Sequence, residues 1–195
     1  RTRIIQGGNI IEKGGVNFSA VYGKLPENIK KAFGLNEDDF FATGVSIVIH
    51  PNHPWVPIIH MNVRYFEVSS GEQWFGGGID LTPIYVDPVQ AQYFHQQIKH
   101  VCDLHDHSYY ETFKKWADDY FFIKHRNETR GVGGVFFDRL GATGDISLYQ
   151  RFEFVKDIGN IFAPIYTKFM EENKDISYGK AEKQFQAIRR GRYVE

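Results

Sequence analysis

Gly44-Val45-Ser46-Ile47-Val48-Ile49-His50 and Ile58-Ile59-His60-Met61-Asn62-Val63-Arg64-Tyr65-Phe66-Glu67 both alternate with a period of two, and the stretch Pro51 to Pro57 between them holds three prolines. Such alternation predicts two strands joined by a loop. Successive side chains of a strand point to opposite faces. Ser46, Val48 and His50 therefore share one face of the first strand, and Val45, Ile47 and Ile49 the other. On the second strand His60, Asn62, Arg64 and Phe66 are separated in the same way from Ile59, Met61, Val63 and Tyr65. If the strands pair as a hairpin, Ser46, His50, His60, Asn62 and Arg64 form one polar patch. Arg64 is suited to bidentate carboxylate binding, and His60 to proton transfer near neutral pH. A solvated sheet face is the competing reading, and the pattern alone favours neither.

Moving outward, Gly71 marks a turn, and Gln73 to Leu81 reads as a third strand interrupted by Gly76-Gly77-Gly78. Three glycines weaken a strand, but they suit a place where a ligand or another backbone comes close. Asp80 follows at the edge of that bare surface, where a carboxylate can accept hydrogen bonds from ligand N–H groups; a β-bulge with a capping Asp is the alternative. Asp87-Pro88-Val89-Gln90 carries the marks of a helix start, and the helix is predicted to run to about Asp103 with Ala91, Phe94, Ile98, Val101 and Cys102 as its apolar stripe. Ser108 opens a further helix to about Asp118, Tyr120 to Lys124 reads as a strand, and Gly131 to Gly134 as a tight turn into a strand at Val135-Phe136-Phe137. Asp145 to Asn173 reads as helical with a kink at Pro164, and Lys180 to Arg190 as a final helix closed by Gly191. Towards the N-terminus, Thr2 to Tyr22 reads as strands broken at Gly7-Gly8 and Gly14-Gly15, and residues 25–38 as a loop or short helix. Strands crowd the first half and long helices the second. That order predicts an α+β fold, a large antiparallel β-sheet flanked by α-helices.

The 195 residues fit one domain. Net charge is −1 with no block of Lys or Arg, which argues against nucleic acid as a partner. Aromatic residues make up 16%, suiting a large sheet and a pocket for a flat ligand, although core packing accounts for most of them. Cys102 is the sole cysteine, so no internal disulfide forms, and a reducing compartment is favoured. No apolar run is long enough to span a bilayer. The chain begins at Arg1 and stops at Tyr193-Val194-Glu195, directly after the predicted helix stop. The expectation is a single domain over residues 1–195, a fragment lacking N-terminal and C-terminal segments.

Neither glycine run is followed by Gly-Lys-Ser/Thr, and neither forms G-x-G-x-x-G in a strand–helix unit, so a nucleotide site is not indicated. No G-x-S-x-G elbow or H-E-x-x-H occurs. The separations of His50, His95 and His125 give no metal signature of their own.

The stretch Lys114-Lys115-Trp116-Ala117-Asp118-Asp119-Tyr120-Phe121-Phe122-Ile123-Lys124-His125-Arg126-Asn127-Glu128-Thr129-Arg130-Gly131-Val132-Gly133-Gly134-Val135-Phe136-Phe137-Asp138 closely resembles the signature of oxygen-dependent coproporphyrinogen III oxidases. Ala117 departs from it, the family usually having Cys or Gly there. Thr43 to His50, His60 to Arg64, Trp74 to Pro83 and Arg189 to Glu195 also resemble family blocks, in order, over nearly the whole chain. The family normally continues past the last block with a substrate loop and a dimer-forming segment.

The resemblance implies conversion of coproporphyrinogen III to protoporphyrinogen IX in haem biosynthesis. Two propionates become vinyl groups with loss of carbon dioxide, and O2 is the oxidant. It implies a homodimer, no organic cofactor, and substrate contacts at Ser46, Asn62, Val63 and Arg64. His60 would be the proton donor, and Asp80 would hold the pyrrole N–H groups. His50, His95 and His125 match histidines proposed to bind a divalent metal in some bacterial members. Arg64, with Arg126 and Arg130, can pair with the substrate's carboxylates. Two other readings are a metal-dependent oxygenase built on the three histidines and a non-catalytic tetrapyrrole-binding protein. The expected compartment is the cytoplasm, or the mitochondrion if a targeting segment precedes Arg1.

Overall fold

The two alternating runs become central strands, both longer than the pattern requires. The computed structural model describes residues 1–34, 36 and 39–191. In chain order the elements are β1 (Thr2–Gln6), β2 (Ile11–Lys24), α1 (Glu27–Phe33), β3 (Asp39–Pro51), β4 (Ile58–Val68), β5 (Gln73–Thr82), α2 (Pro88–His105), α3 (Tyr109–Phe121), β6 (Phe122–Ile123), β7 (Glu128–Thr129), β8 (Gly133–Leu140), α4 (Leu148–Asn173) and α5 (Lys180–Arg190). Six strands form one sheet in the order β1-β2-β3-β4-β5-β8, every neighbour antiparallel. This is the expected α+β arrangement. Residues 192–195, the end of the last family-like block, lie outside the described residues.

Cross-strand partners share a face, so register sorts the sheet into two surfaces. Ser46 lies opposite Asn62, Val48 opposite His60, His60 opposite Asp80, and Arg64 opposite Gly76. The other parity carries Ile47, Ile59, Met61, Ile79, Leu81, Val135 and Phe137, all buried. They pack against Phe94, Ile98 and Val101 of α2, Phe113 of α3, and Phe154, Ile158 and Phe162 of α4. Burying such side chains contributes about 1.5–3 kcal/mol each, so the helices cover the apolar face and leave the His60–Arg64 face for other use.

Local signals hold at most element ends. The Asp87 carboxylate accepts from the backbone N–H groups of Val89 and Gln90, and α2 begins at Pro88 as read. α5 docks through Gln186, whose buried amide donates to the Pro51 carbonyl at 3.1 Å, and through Arg190 on Glu12 at 2.6 Å.

Several expectations are corrected. Gly14-Gly15 does not break the first sheet region, because β2 is hydrogen-bonded by β1 on one side and β3 on the other through that stretch; the turn is at Gly7, with φ of +71°. Gly76-Gly77-Gly78 runs inside β5 rather than interrupting it, because β4 and β8 ladder both edges. The strand expected at Tyr120 to Lys124 shrinks to Phe122–Ile123. Helix α3 continues to Phe121, supported by buried Phe113 and Ala117 and by the i,i+4 pairs Lys114–Asp118 and Lys115–Asp119. The last long helix starts at Leu148 rather than Asp145, because Ser147 and Gln150 close a capping box; Pro164 lies within it without ending it.

Candidate active site

The face of the sheet opposite the helices carries a cavity of about 470 Å³, open to solvent. That is within the roughly 300–1,000 Å³ typical of small-molecule sites. Its floor is the polar patch predicted from the two alternating runs. Ser46 comes from β3, His60, Asn62 and Arg64 from β4, and Gly78 and Asp80 from β5. Tyr120 and Phe121 at the end of α3, Phe136 of β8 and Arg130 form the wall. The Tyr120 and Phe136 rings stack with centroids 5.0 Å apart, and Trp116 meets Phe136 edge-on at 5.1 Å.

Gly76 leaves room for a side chain to cross the floor. A Cβ there would sit 2.8 Å from Arg64 Nη2 and overlap the Asp138 carboxylate. The Arg64 side chain lies across this glycine, donating from Nη1 to Asn62 Oδ1 at 3.0 Å and pairing through Nη2 with Asp138 Oδ1 at 3.2 Å.

Asp80 is the electrostatic centre of the site, its side chain only 5% exposed. His60 Nδ1 donates to Oδ1 at 2.9 Å, and Arg130 Nη2 donates to Oδ2 at 2.9 Å. The Arg130 guanidinium in turn lies over the Phe121 ring, 4.0 Å from its centroid. A buried carboxylate is tolerated only when paired in this way. Because the carboxylate only accepts, Nδ1 of His60 carries the proton. Nε2 is then the nitrogen that can exchange a proton with a bound molecule.

Ser46, His60, Asn62, Arg64 and Asp80 are thus brought together. Val63 is not: by strict alternation its side chain turns to the helix-covered face and packs against the core, which leaves only its backbone near the substrate side. Nor do the three histidines converge. His50 lies on β3 beyond Val48, His125 is exposed in the turn between β6 and β7, and His95 sits on α2. His95 Nε2 donates to the Val132 carbonyl at 2.8 Å, and the Tyr110 hydroxyl faces Nδ1 at 3.1 Å. A carbonyl only accepts, so Nε2 carries the hydrogen and Nδ1 takes the hydroxyl's. Both nitrogens are spent inside the protein, and burial lowers the His95 pKa despite the bond to Val132. Among the described residues no group of three or more His, Cys, Asp or Glu is placed to hold a metal ion. The expected ligand set does not fit one metal site in this chain.

Arg130, named in the sequence only as a carboxylate partner, is committed to Asp80, while Arg126 is exposed in the β6–β7 turn. Asp138 and the Tyr120–Phe136 wall were not foreseen as site residues. Period-two counting along Val135-Phe136-Phe137-Asp138 would have set Phe136 and Asp138 on one face, but which face depends on pairing with β5.

The family model described as coproporphyrinogen III oxidase matches residues 1–195. Oxygen-dependent coproporphyrinogen-III oxidase of Drosophila melanogaster is 47% identical over 209 residues, covering 100% of this chain and 52% of that protein. The oxygen-dependent coproporphyrinogen-III oxidase of Francisella tularensis subsp. holarctica is 48% identical over 198 residues, covering 98% and 63%. Coproporphyrinogen-III oxidase 1, chloroplastic, of Arabidopsis thaliana is 43% identical over 209 residues, covering 100% and 53%. The chain spans 52% to 63% of the length of these relatives. It belongs to the coproporphyrinogen III oxidase family.

Proposed function

We propose that this chain carries the reaction site of an oxygen-dependent coproporphyrinogen III oxidase, which converts two propionates of coproporphyrinogen III to vinyl groups with O2 as oxidant and without an organic cofactor. The observation that carries the reading is one cavity holding a carboxylate-binding arginine, Arg64, beside an oriented proton carrier, His60 on Asp80. Each propionate loses carbon dioxide, a proton from the carbon next to the ring, and two electrons. Two such steps release four electrons and two protons, which with two more protons from solvent reduce one O2 to two waters.

The residues supply position and charge rather than redox chemistry. Arg64 pairs with a propionate carboxylate. His60, held through Nδ1 by Asp80, exchanges a proton through Nε2 with the reacting side chain. The Asp80 carboxylate, gripped by His60 and Arg130, keeps lone pairs that can accept from pyrrole N–H groups. The bare glycine floor and the Tyr120–Phe136 wall admit a wide ring between them, and effective positioning of this kind lowers a barrier without a protein-borne oxidant.

The homodimer is part of the proposal. It is supported by exposed Ile4, Phe18, Val21 and Tyr22 on the outer strands β1 and β2. A cytoplasmic setting is proposed from the single buried Cys102; the Arabidopsis relative bears a chloroplastic name. Among the described residues no helix is long and apolar enough to cross a membrane.

The test is aerobic turnover of coproporphyrinogen III by the full-length protein, followed as protoporphyrin fluorescence after oxidation, with and without a chelator. Oxygen-dependent product in both conditions is expected. Product lost with chelator and restored by metal would keep the oxidase and make His50, His95 and His125 the ligands to look for. Tight porphyrin binding without any product would make the protein a tetrapyrrole carrier.

A further inference from the structure

The pairing of β5 with β8 slips by one residue beside the cavity. Gly77 lies opposite Phe137, yet Phe75 lies opposite Leu140, so two steps on β5 are matched by three on β8. The extra residue is accommodated at Asp138-Arg139, where Arg139 has φ of +52°, an uncommon conformation for a residue with a side chain. A bulge of this kind changes which way neighbouring side chains face. Phe137 and Leu140 both reach the buried side of the sheet, and Asp138 between them stays on the cavity side against Arg64. Gly76 lies beneath the contact and leaves room for it. The bulge, the left-handed residue and the missing side chain meet at one ion pair, on the edge of the described site. Strained backbone at such a place is a reason to look for a role.

We infer that Asp138 is the positioning residue of Arg64. Arg64 is long and flexible, and a guanidinium that must first be ordered loses binding energy to the ordering. Asn62 on one Nη and Asp138 on the other hold its plane, leaving the rest of the donor fork for a substrate carboxylate. Position and charge act oppositely here. Holding the fork in place strengthens carboxylate binding, whereas the negative charge of Asp138 weakens it. With the partner side chains partly exposed (37% and 21%), solvent screens the repulsion, and the positioning effect prevails. The inference rests on the reading of Arg64 as the carboxylate-binding group.

Steady-state kinetics of full-length Asp138→Ala, Asp138→Asn, Arg64→Ala and the Asp138→Ala/Arg64→Ala double variant separate the possibilities. Asp138→Ala is expected to raise KM about tenfold with kcat within about twofold. Asp138→Asn keeps a hydrogen-bond acceptor and restores KM to within about threefold of the parent. In the Arg64→Ala background Asp138→Ala adds nothing, since its effect passes through the arginine. A purely structural role would lower the active fraction, and kcat with it, without moving KM. Should Asp138→Ala fail to fold, Asp138→Ser carries the same comparison. The inference is overturned if Asp138→Ala leaves KM unchanged while Arg64→Ala raises it, or if Asp138→Ala has its full effect without Arg64. An unchanged KM in Arg64→Ala would instead overturn the carboxylate-binding reading beneath it.

Discussion

His60 Nδ1 lies 2.9 Å from Asp80 Oδ1, and the two residues face each other directly across the β4–β5 pair. The sheet register itself therefore makes this contact, and the ring is held in one tautomer by a carboxylate that Arg130 grips from the other side.

Asp80→Asn tests that orientation with little change of shape. The amide can present N–H to the imidazole or to the guanidinium, but it cannot accept from both as the carboxylate does. kcat is expected to fall about 10²-fold or more, in line with loss of oriented acid–base catalysis. Asp80→Ala removes the carboxylate that pairs with Arg130 at 2.9 Å inside the protein and is expected to lower stability by about 3–5 kcal/mol, read by urea unfolding. A kcat within twofold of the parent in Asp80→Asn, about 0.4 kcal/mol, would remove Asp80 from the chemistry.

Gly76→Ala places a methyl group against the Arg64 guanidinium and the Asp138 carboxylate. One of the two must move. Both contacts are with the ends of flexible side chains that can shift, so the fold should lose less than about 1 kcal/mol, and KM for coproporphyrinogen III is expected to rise as Arg64 shifts. Thermal unfolding and kinetics on the same sample would show both; an unchanged KM would mean that Arg64 has another way across the sheet.

Acid should destabilise the fold through His53. Its ring is buried, Nδ1 accepts from the Trp55 backbone N–H at 3.3 Å, and Nε2 donates to the Ile176 carbonyl at 3.1 Å. Burial, outweighing the bond to Ile176, lowers its pKa below the ordinary 6.5. The unfolded chain then takes up the proton at a higher pH than the folded one, so stability is full above the ordinary value and is lost as pH falls from it towards the lowered one. Urea midpoints are expected to drop between about pH 7.5 and pH 5.5, and His53→Gln to flatten part of that slope. A slope unchanged by the substitution would shift the effect to other groups, His95 first, whose pKa is lowered in the same direction.

His95→Ala is expected to act on stability rather than on metal content. The change removes the donor to the Val132 carbonyl and the acceptor facing the Tyr110 hydroxyl. Two part-buried groups lose their partner, and the summed cost is expected to be about 1–3 kcal/mol. The loss of unfolding midpoint should be the same with and without a chelator. A midpoint that depends on added divalent metal in the parent, and not in His95→Ala, would restore His95 as a ligand.

The strands at 44–50 and 58–67, the Asp87 helix start and the α+β class could be read from the chain because each rests on local repetition or on a few adjacent residues. The same holds for the shared face of His60, Asn62 and Arg64. The resemblance names Val63 as a substrate contact, and its own parity sets its side chain on the buried face, so any such contact would be made by its backbone. Tyr120 to Lys124, rich in aromatics, looked like a strand because β propensity there is high, but packing of Phe113 and Ala117 extended the helix through Phe121.

By itself, the sequence determined which side chains share a face, where glycine leaves the backbone bare, and which family the chain resembles. All of these depend on spacings of a few residues along one element. The tertiary structure alone decided that Asp80 lies between His60 and Arg130, that Asp138 reaches Arg64 over Gly76, and that His50, His95 and His125 stay apart. Those facts depend on strand register, on a single bulge and on the path of the turn between β7 and β8. Each of these is set by packing between segments distant in the chain, which no local pattern encodes.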